Sequence, residues 1–223
     1  MHHLINKKIL FYFSLFLIFG TLTNKNFKEI NLLKIEKINI NGINLDEDIS
    51  LARNFDNIKL QNLFFLESYQ IHNIMNSNNM IESYSIFKKY PSTLNININK
   101  TKFLAKISKN GVIFFLGSNG KLIKSTVTNE KIPFLFGDYN FNDFIILKNI
   151  IDDSNLNFNE IKNLYFFPSG RWDVEIHTGT LIRLPKKQLK RYFDLSLKIL
   201  NDQKFKGTKL IDVRQVDQVI IDG

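Results

Sequence analysis

The sequence predicts an α+β protein: a single N-terminal transmembrane helix, a small βααββ domain, then a mostly β domain with a late helix and a C-terminal edge strand. Three observations predict it. One uncharged apolar stretch, Ile9 to Leu22, lies near the start of the chain, and no other stretch like it follows. Leu94, Ile96 and Ile98 alternate with Asn95, Asn97 and Asn99, the period-2 pattern of a strand with one wet face. Asn110-Gly111 and Asn119-Gly120 are hairpin signals on either side of the apolar run Val112 to Leu116.

The apolar stretch carries Ile9, Phe11, Phe13, Leu15, Phe16, Leu17, Ile18 and Phe19, bounded by Lys7, Lys8 and Lys25. Uncharged residues continue to Asn24, so a helix over 9–24 covers about 24 Å against a hydrocarbon core of about 30 Å. Leu4 and Ile5 extend it if Lys7 and Lys8 snorkel. The expectation is an uncleaved signal anchor, with residues 1–8 cytoplasmic and 25–33 a linker. A cleaved signal peptide is the rival, but Gly20-Thr21-Leu22-Thr23-Asn24 offers no alanine for a small-x-small site. Charge hardly orients the segment. A short N-terminus before a long domain usually stays in the cytosol, which makes the rest extracytoplasmic.

With 223 residues the chain has room for two modest domains after the anchor. Cysteine is absent, so stability rests on packing. The net charge of +9 is spread along the chain, and no basic block with interleaved aromatics predicts nucleic-acid binding.

Residues 34–102 are read as the first domain. Ile38 and Ile40 oppose Lys37 and Asn39 in a short strand ended by Asn41-Gly42. Asp46, Glu47 and Asp48 suit the positive end of a helix carrying Ile49, Ala52 and Phe55. Leu63-Phe64-Phe65-Leu66 is a compact apolar run, and Tyr69, Ile71, His72, Ile74 and Met75 repeat with helical period. Ile81 to Phe87 and Leu94 to Ile98 are strands joined through Tyr90-Pro91-Ser92.

Residues 103–223 are read as the second domain. After the hairpins come Ile132 to Gly137 and a helical stretch around Phe144 to Ile151. Trp172, Val174 and Ile176 face one way, and Asp173, Glu175 and His177 the other. Leu181 to Leu184 returns after Thr178-Gly179. Pro185 suits a helix's first turn, Leu189, Tyr192, Phe193, Ser196 and Leu200 form one helical face, and Gly207 is a stop signal. One last strand is expected from about Lys209 to Ile221.

The chain resembles the bacterial cell-division family FtsQ, called DivIB in some lineages. Four stretches carry the resemblance. Ile38-Asn39-Ile40-Asn41-Gly42 is similar to the opening strand and glycine of that family's POTRA domain. Asn62 to Leu66, with Ile81 to Pro91 and Leu94-Asn95-Ile96, is similar to its strand, aromatic-Pro turn and return strand. Gly170-Arg171-Trp172-Asp173-Val174, with Gly179 and Leu184-Pro185, is similar to its Arg-Trp-Asp strand and the turn and helix start that follow. Ile211-Asp212-Val213-Arg214 is similar to its late Asp-Leu-Arg strand. There are departures. Lys100 to Ala105 lacks the family's acid and proline, Val213 replaces leucine, and Gln215 stands where some relatives carry a partner-contacting aromatic.

The resemblance implies a non-catalytic, single-pass inner-membrane scaffold of the divisome. Its C-terminal part would be periplasmic and enriched at the septum. It would join early and late division proteins and bind FtsB, which pairs with FtsL, through the final strands. An exposed terminal strand gives this mode a physical reason, because a partner segment can add to it. Val216, Val219, Ile220 and Ile221 would supply apolar contacts, Gln215 lies beside them, and Arg214 and Arg171 would meet partner carboxylates. Both arginines also read as ordinary solvated strand residues, and for Arg171 the two readings balance.

Catalysis is not expected, and neither is a cofactor, metal or small-molecule substrate. His2, His3, His72 and His177 lack metal-ligand spacing, and no phosphate loop or nucleophile elbow is present. The alternative within the envelope is a POTRA-type chaperone for protein assembly, but no internal repeat or barrel pattern supports it.

Overall fold

A computed structural model describes residues 7–22, 34–43, 49–59, 61–124, 131–215 and 218–223. The linker 25–33, the acidic trio Asp46 to Asp48 and Val216 lie outside the described residues. The chain divides into two compact units, Met1–Lys100 and Thr101–Gly223.

The apolar stretch forms helix α1, Lys7–Leu22, of 16 residues. The expected transmembrane anchor is overturned here: among the described residues no helix is long and apolar enough to cross a membrane. Sixteen residues rise about 24 Å, short of a core of about 30 Å. Ile9, Phe11, Phe13, Leu15, Phe16, Leu17, Ile18 and Phe19, the residues assigned to the anchor, all expose large apolar side chains on this helix.

The rest of the first unit runs β1 (Lys37–Asn41), α2 (Ile49–Lys59), α3 (Ser68–Ser77), β2 (Ile81–Lys89) and β3 (Thr93–Lys100). The strands form a sheet of order β1-β3-β2, with β1 parallel and β2 antiparallel to β3. Leu51, Phe55 and Ile58 recur at helical spacing on α2, as do Ile71 and Met75 on α3, and all are buried with Leu94, Ile96 and Ile98 of β3. The alternate residues of β3 face away: Asn39 donates to Asn95 at 2.7 Å and Asn41 to Asn97 at 2.9 Å. His72 pairs with the Tyr84 hydroxyl on the surface of this unit.

The second unit is built on a nine-stranded sheet. Its strands are β4 (Phe103–Lys109), β5 (Val112–Gly117), β6 (Leu122–Ile123), β7 (Phe134–Phe136), β8 (Ile161–Phe166), β9 (Trp172–Ile176), β10 (Leu181–Leu184), β11 (Leu210–Asp212) and β12 (Ile220–Asp222). Their order is β12-β11-β10-β9-β8-β7-β4-β5-β6. Asn110 and Gly111 both adopt positive φ, 52° and 77°, as the tight hairpin between β4 and β5 requires. Helices α4 (Phe141–Asp152) and α5 (Leu189–Asn201) supply Phe144, Leu147, Ile151, Phe193 and Leu197 to a core with Leu135, Leu164, Val174, Ile182 and Ile211.

Several expectations are corrected. The single last strand is two antiparallel strands, β11 and β12, separated by residues 213–219. Pro185 lies before α5, outside its first turn, and the helix begins at Leu189 after Gln188 in left-handed conformation. The helix ends at Asn201, short of Gly207. Asp173 is buried although it alternates with Trp172 and Val174, and the Arg171 and Arg183 guanidiniums lie beside it.

Candidate functional site

The terminal strand β12 organises this site. It pairs with β11 through Leu210–Asp222, Ile211–Ile221 and Asp212–Ile220, and no strand among the described residues lies on its other flank. Strand β11 in turn pairs in parallel with β10, so it is enclosed on both sides. Val219 and Ile220 are exposed, while Ile221 is half-buried opposite the fully buried Ile211. An apolar pair beside an unpaired backbone edge can accept an extended segment. Gln215 is exposed in the segment before this strand.

The register of the sheet sets a row of side chains leading to that edge. Phe136 is opposite Tyr165, Tyr165 opposite Asp173, Asp173 opposite Arg183, Arg183 opposite Asp212, and Asp212 opposite Ile220. At its far end the rings of Phe136 and Tyr165 stack at 5.1 Å. Toward the edge the row becomes ionic. Arg214 donates through Nε to Asp212 Oδ1 at 2.8 Å, through Nη2 to Oδ2, and through its backbone N–H to Oδ1 at 3.1 Å. Arg183 lies 3.8 Å from Asp212 and 3.6 Å from Asp173, bridging the two acids. Arg171 lies 4.0 Å from Asp173 and stacks its guanidinium on Phe167 at 4.1 Å.

The structure therefore brings Arg171 and Arg214 into one cluster of three guanidiniums around two buried carboxylates. Both arginines spend charge inside the chain, yet each remains about a third exposed. Sequence reasoning missed Arg183, Asp173 and Asp212. The available signal was a set of opposite charges with matching alternation in three consecutive strands, but alternation alone does not reveal which strands are neighbours.

The two acids are tuned in opposite directions. Burial raises the Asp173 carboxyl above its ordinary value, and the three guanidiniums only partly oppose this. Burial also pushes Asp212 up, but the hydrogen bonds from Arg214 outweigh it and hold the carboxyl below its ordinary value. The same bonds raise Arg214. Asp212 therefore stabilises the fold fully above about pH 4, and this is lost as pH falls through its lower folded value. For Asp173 the sign reverses: stability is whole below about pH 4 and declines as pH rises through the raised folded value. Asp212→Asn is expected to cost about 2 kcal/mol at neutral pH, whereas Asp173→Asn changes stability by less than about 1 kcal/mol. Urea unfolding followed from pH 3 to 7 checks both, and the Asp212→Asn deficit should shrink at the acid end.

One row along, Glu175 accepts from Lys162 at 2.8 Å, Asn163 at 2.7 Å and Tyr165 at 3.1 Å, and these bonds hold it below its ordinary value. A cavity of about 550 Å³ opens beside Thr178, Thr180, Leu200 and Thr208. Its threonines bond within the chain: Thr180 donates to the Thr208 carbonyl and Thr208 to the Phe205 carbonyl, each at 2.7 Å. Among the described residues no group of three His, Cys, Asp or Glu side chains is placed to hold a metal ion.

No protein-family model matches the chain, and no curated protein matches it. Among solved structures it is similar to the major extracytoplasmic domain of the trans isomer of the bacterial cell-division protein DivIB from Geobacillus stearothermophilus. The TM-score is 0.35 at 15% identity, covering 48% of this chain and 98% of that one. A likeness of that extent carries no argument about residues or mechanism.

Proposed function

We propose that this chain is a non-catalytic scaffold of the bacterial division machinery that captures FtsB, together with its partner FtsL, by strand addition to β12. The observation that carries the reading is that no strand among the described residues pairs with the outer flank of β12, with Ile220 exposed on the strand and Val219 exposed just before it. Backbone hydrogen bonds supply affinity in this mode, and side chains on either side supply selectivity. Arg171 and Arg214, partly exposed at the same end of the sheet, are placed to favour an acidic segment over a basic one. The four sequence stretches similar to the FtsQ family supply the identity of the partner, and with it an extracytoplasmic site of action concentrated at the septum.

The test is retention of purified FtsB, alone and as a pair with FtsL, on the immobilised full chain. Retention that survives competition by an unrelated acidic protein is expected. Failure to retain either form under conditions where the chain is folded overturns the reading. Imaging a fluorescent fusion while the native protein is depleted checks the cellular role, for which a mid-cell band and filamentous cells are the expected result.

A further inference from the structure

We propose that one end of the first unit docks on the surface of an anionic lipid bilayer through Phe64, Phe65 and Tyr90. This rests on side chains of the first unit alone and is independent of the partner reading.

The run Leu63-Phe64-Phe65-Leu66 looks like core in the sequence, yet only half of it is. Asn62 Oδ1 accepts from the Phe64 backbone N–H at 2.9 Å, turning the loop so that Leu63 and Leu66 are buried. Phe64 and Phe65 are left outside, 56% and 37% exposed. Tyr90, at the turn between β2 and β3, is 55% exposed. Phe64 lies edge-on to Phe65 at 5.2 Å and 6.4 Å from Tyr90, so the three rings form one patch.

The hydrogen bonds fix which end of the unit carries it. Ile35 N–H donates to the Gln61 carbonyl, Lys34 bridges Asn62, and Glu36 N–H donates to the Ser92 carbonyl. Lys37 pairs with Thr93 at the start of the parallel strands. The patch therefore sits where the chain enters β1. Lysines flank it in sequence and register. Lys34, Lys37 and Lys89 are exposed, and Lys88 reaches the Leu66 carbonyl at 2.7 Å. Among the described residues the acids at this end are Glu36, which accepts from Ser92, and Glu67, while Asp56 is neutralised by Lys59.

Charge and ring chemistry select the occupant. Tyrosine is favoured at the headgroup level of a bilayer, where one end is apolar and the other wet, and exposed phenylalanines bury apolar area at the acyl boundary. Lysine stems cover apolar surface while their ammonium groups stay in water. An anionic leaflet attracts such groups within a Debye length. An apolar protein partner would leave the flanking lysines unexplained.

The chain has no cysteine, so a single Gln61→Cys substitution gives a unique labelling site beside the patch. The full chain, labelled there with an environment-sensitive dye, is mixed with phosphatidylcholine vesicles or with vesicles also containing phosphatidylglycerol. An Asn110→Cys label on the hairpin of the second unit serves as reference. A local probe reads this contact separately from anything the exposed helix α1 does. A blue shift and protection from aqueous iodide are expected at position 61 on the anionic vesicles alone, with loss of both in about 0.5 M salt. The double substitution Phe64→Ser with Phe65→Ser, and separately Lys37→Glu with Lys89→Glu, should each abolish the protection. Equal protection on neutral vesicles, protection no greater than at position 110, or protection that survives both double substitutions overturns the proposal.

Discussion

Deleting residues 216–223 is expected to abolish retention of FtsB, an affinity loss of at least about 100-fold. An added strand along β12 makes about three or four backbone hydrogen bonds, each worth about 1 kcal/mol net. Losing all of them removes about 3 to 4 kcal/mol, before any contribution from Val219 and Ile220. Point substitutions make the same test without shortening the chain. Neighbouring backbone N–H groups along a strand point to opposite flanks. Of Ile220→Pro and Ile221→Pro, one therefore removes a donor facing β11 and the other a donor facing outward. The outward one should lower FtsB retention while leaving the unfolding transition reported by Trp172 unchanged. Trp172 is the sole tryptophan and is buried in the second unit, so its fluorescence reads that unit. Wild-type retention by both the truncated chain and the outward-facing variant would refute strand addition.

Gly42→Ala is expected to unfold the first unit or to destabilise it by about 4 kcal/mol. Gly42 has φ of 92°, and a Cβ there would sit 1.8 Å from the Ile98 carbonyl oxygen. That neighbour is backbone of the central strand β3, which cannot turn aside as a flexible side chain would. Two costs therefore add: the left-handed conformation itself, and displacement of a strand paired on both sides. Gly111→Ala is the matched control. It has φ of 77° and open space around the missing Cβ, so only the conformational cost of about 1 to 2 kcal/mol applies. Limited proteolysis should cut the Gly42→Ala protein within residues 34–100 while Trp172 fluorescence stays native. Resistance equal to wild type across that region would show that β3 accommodates the methyl group.

These two glycines show how unevenly the fold is written in the chain. Asn41-Gly42 and Asn110-Gly111 look alike as turn signals; the second is the β4–β5 hairpin, and the first ends β1 in a bend at Gly42. Only the packing shows that one turn tolerates a side chain and the other does not. The alternation in β3 was legible because a period-2 pattern needs no knowledge of partners. The final stretch reads as one strand because apolar residues recur from Leu210 to Ile221, and no glycine or proline between Val213 and Val219 marks a break. Composition reports apolarity while helix length decides spanning, and the described helix, Lys7–Leu22, has 16 residues.

By itself the sequence determined what depends on neighbours along the chain: the α+β class, the hairpin at Asn110-Gly111, the face of α5, and an apolar C-terminal stretch, whereas the face expected on α2 (Ile49, Ala52, Phe55) shares only Phe55 with the buried set Leu51, Phe55 and Ile58. Tertiary structure alone decided what depends on residues distant in sequence. It placed β12 at the end of the sheet with no strand among the described residues on its outer flank, gathered Arg171, Asp173, Arg183, Asp212 and Arg214 into one charge cluster, and left Phe64 and Phe65 outside while burying Leu63 and Leu66. Local patterns set by the backbone's own period can be read one segment at a time, whereas strand order, desolvation and charge pairing exist only once separate segments have met.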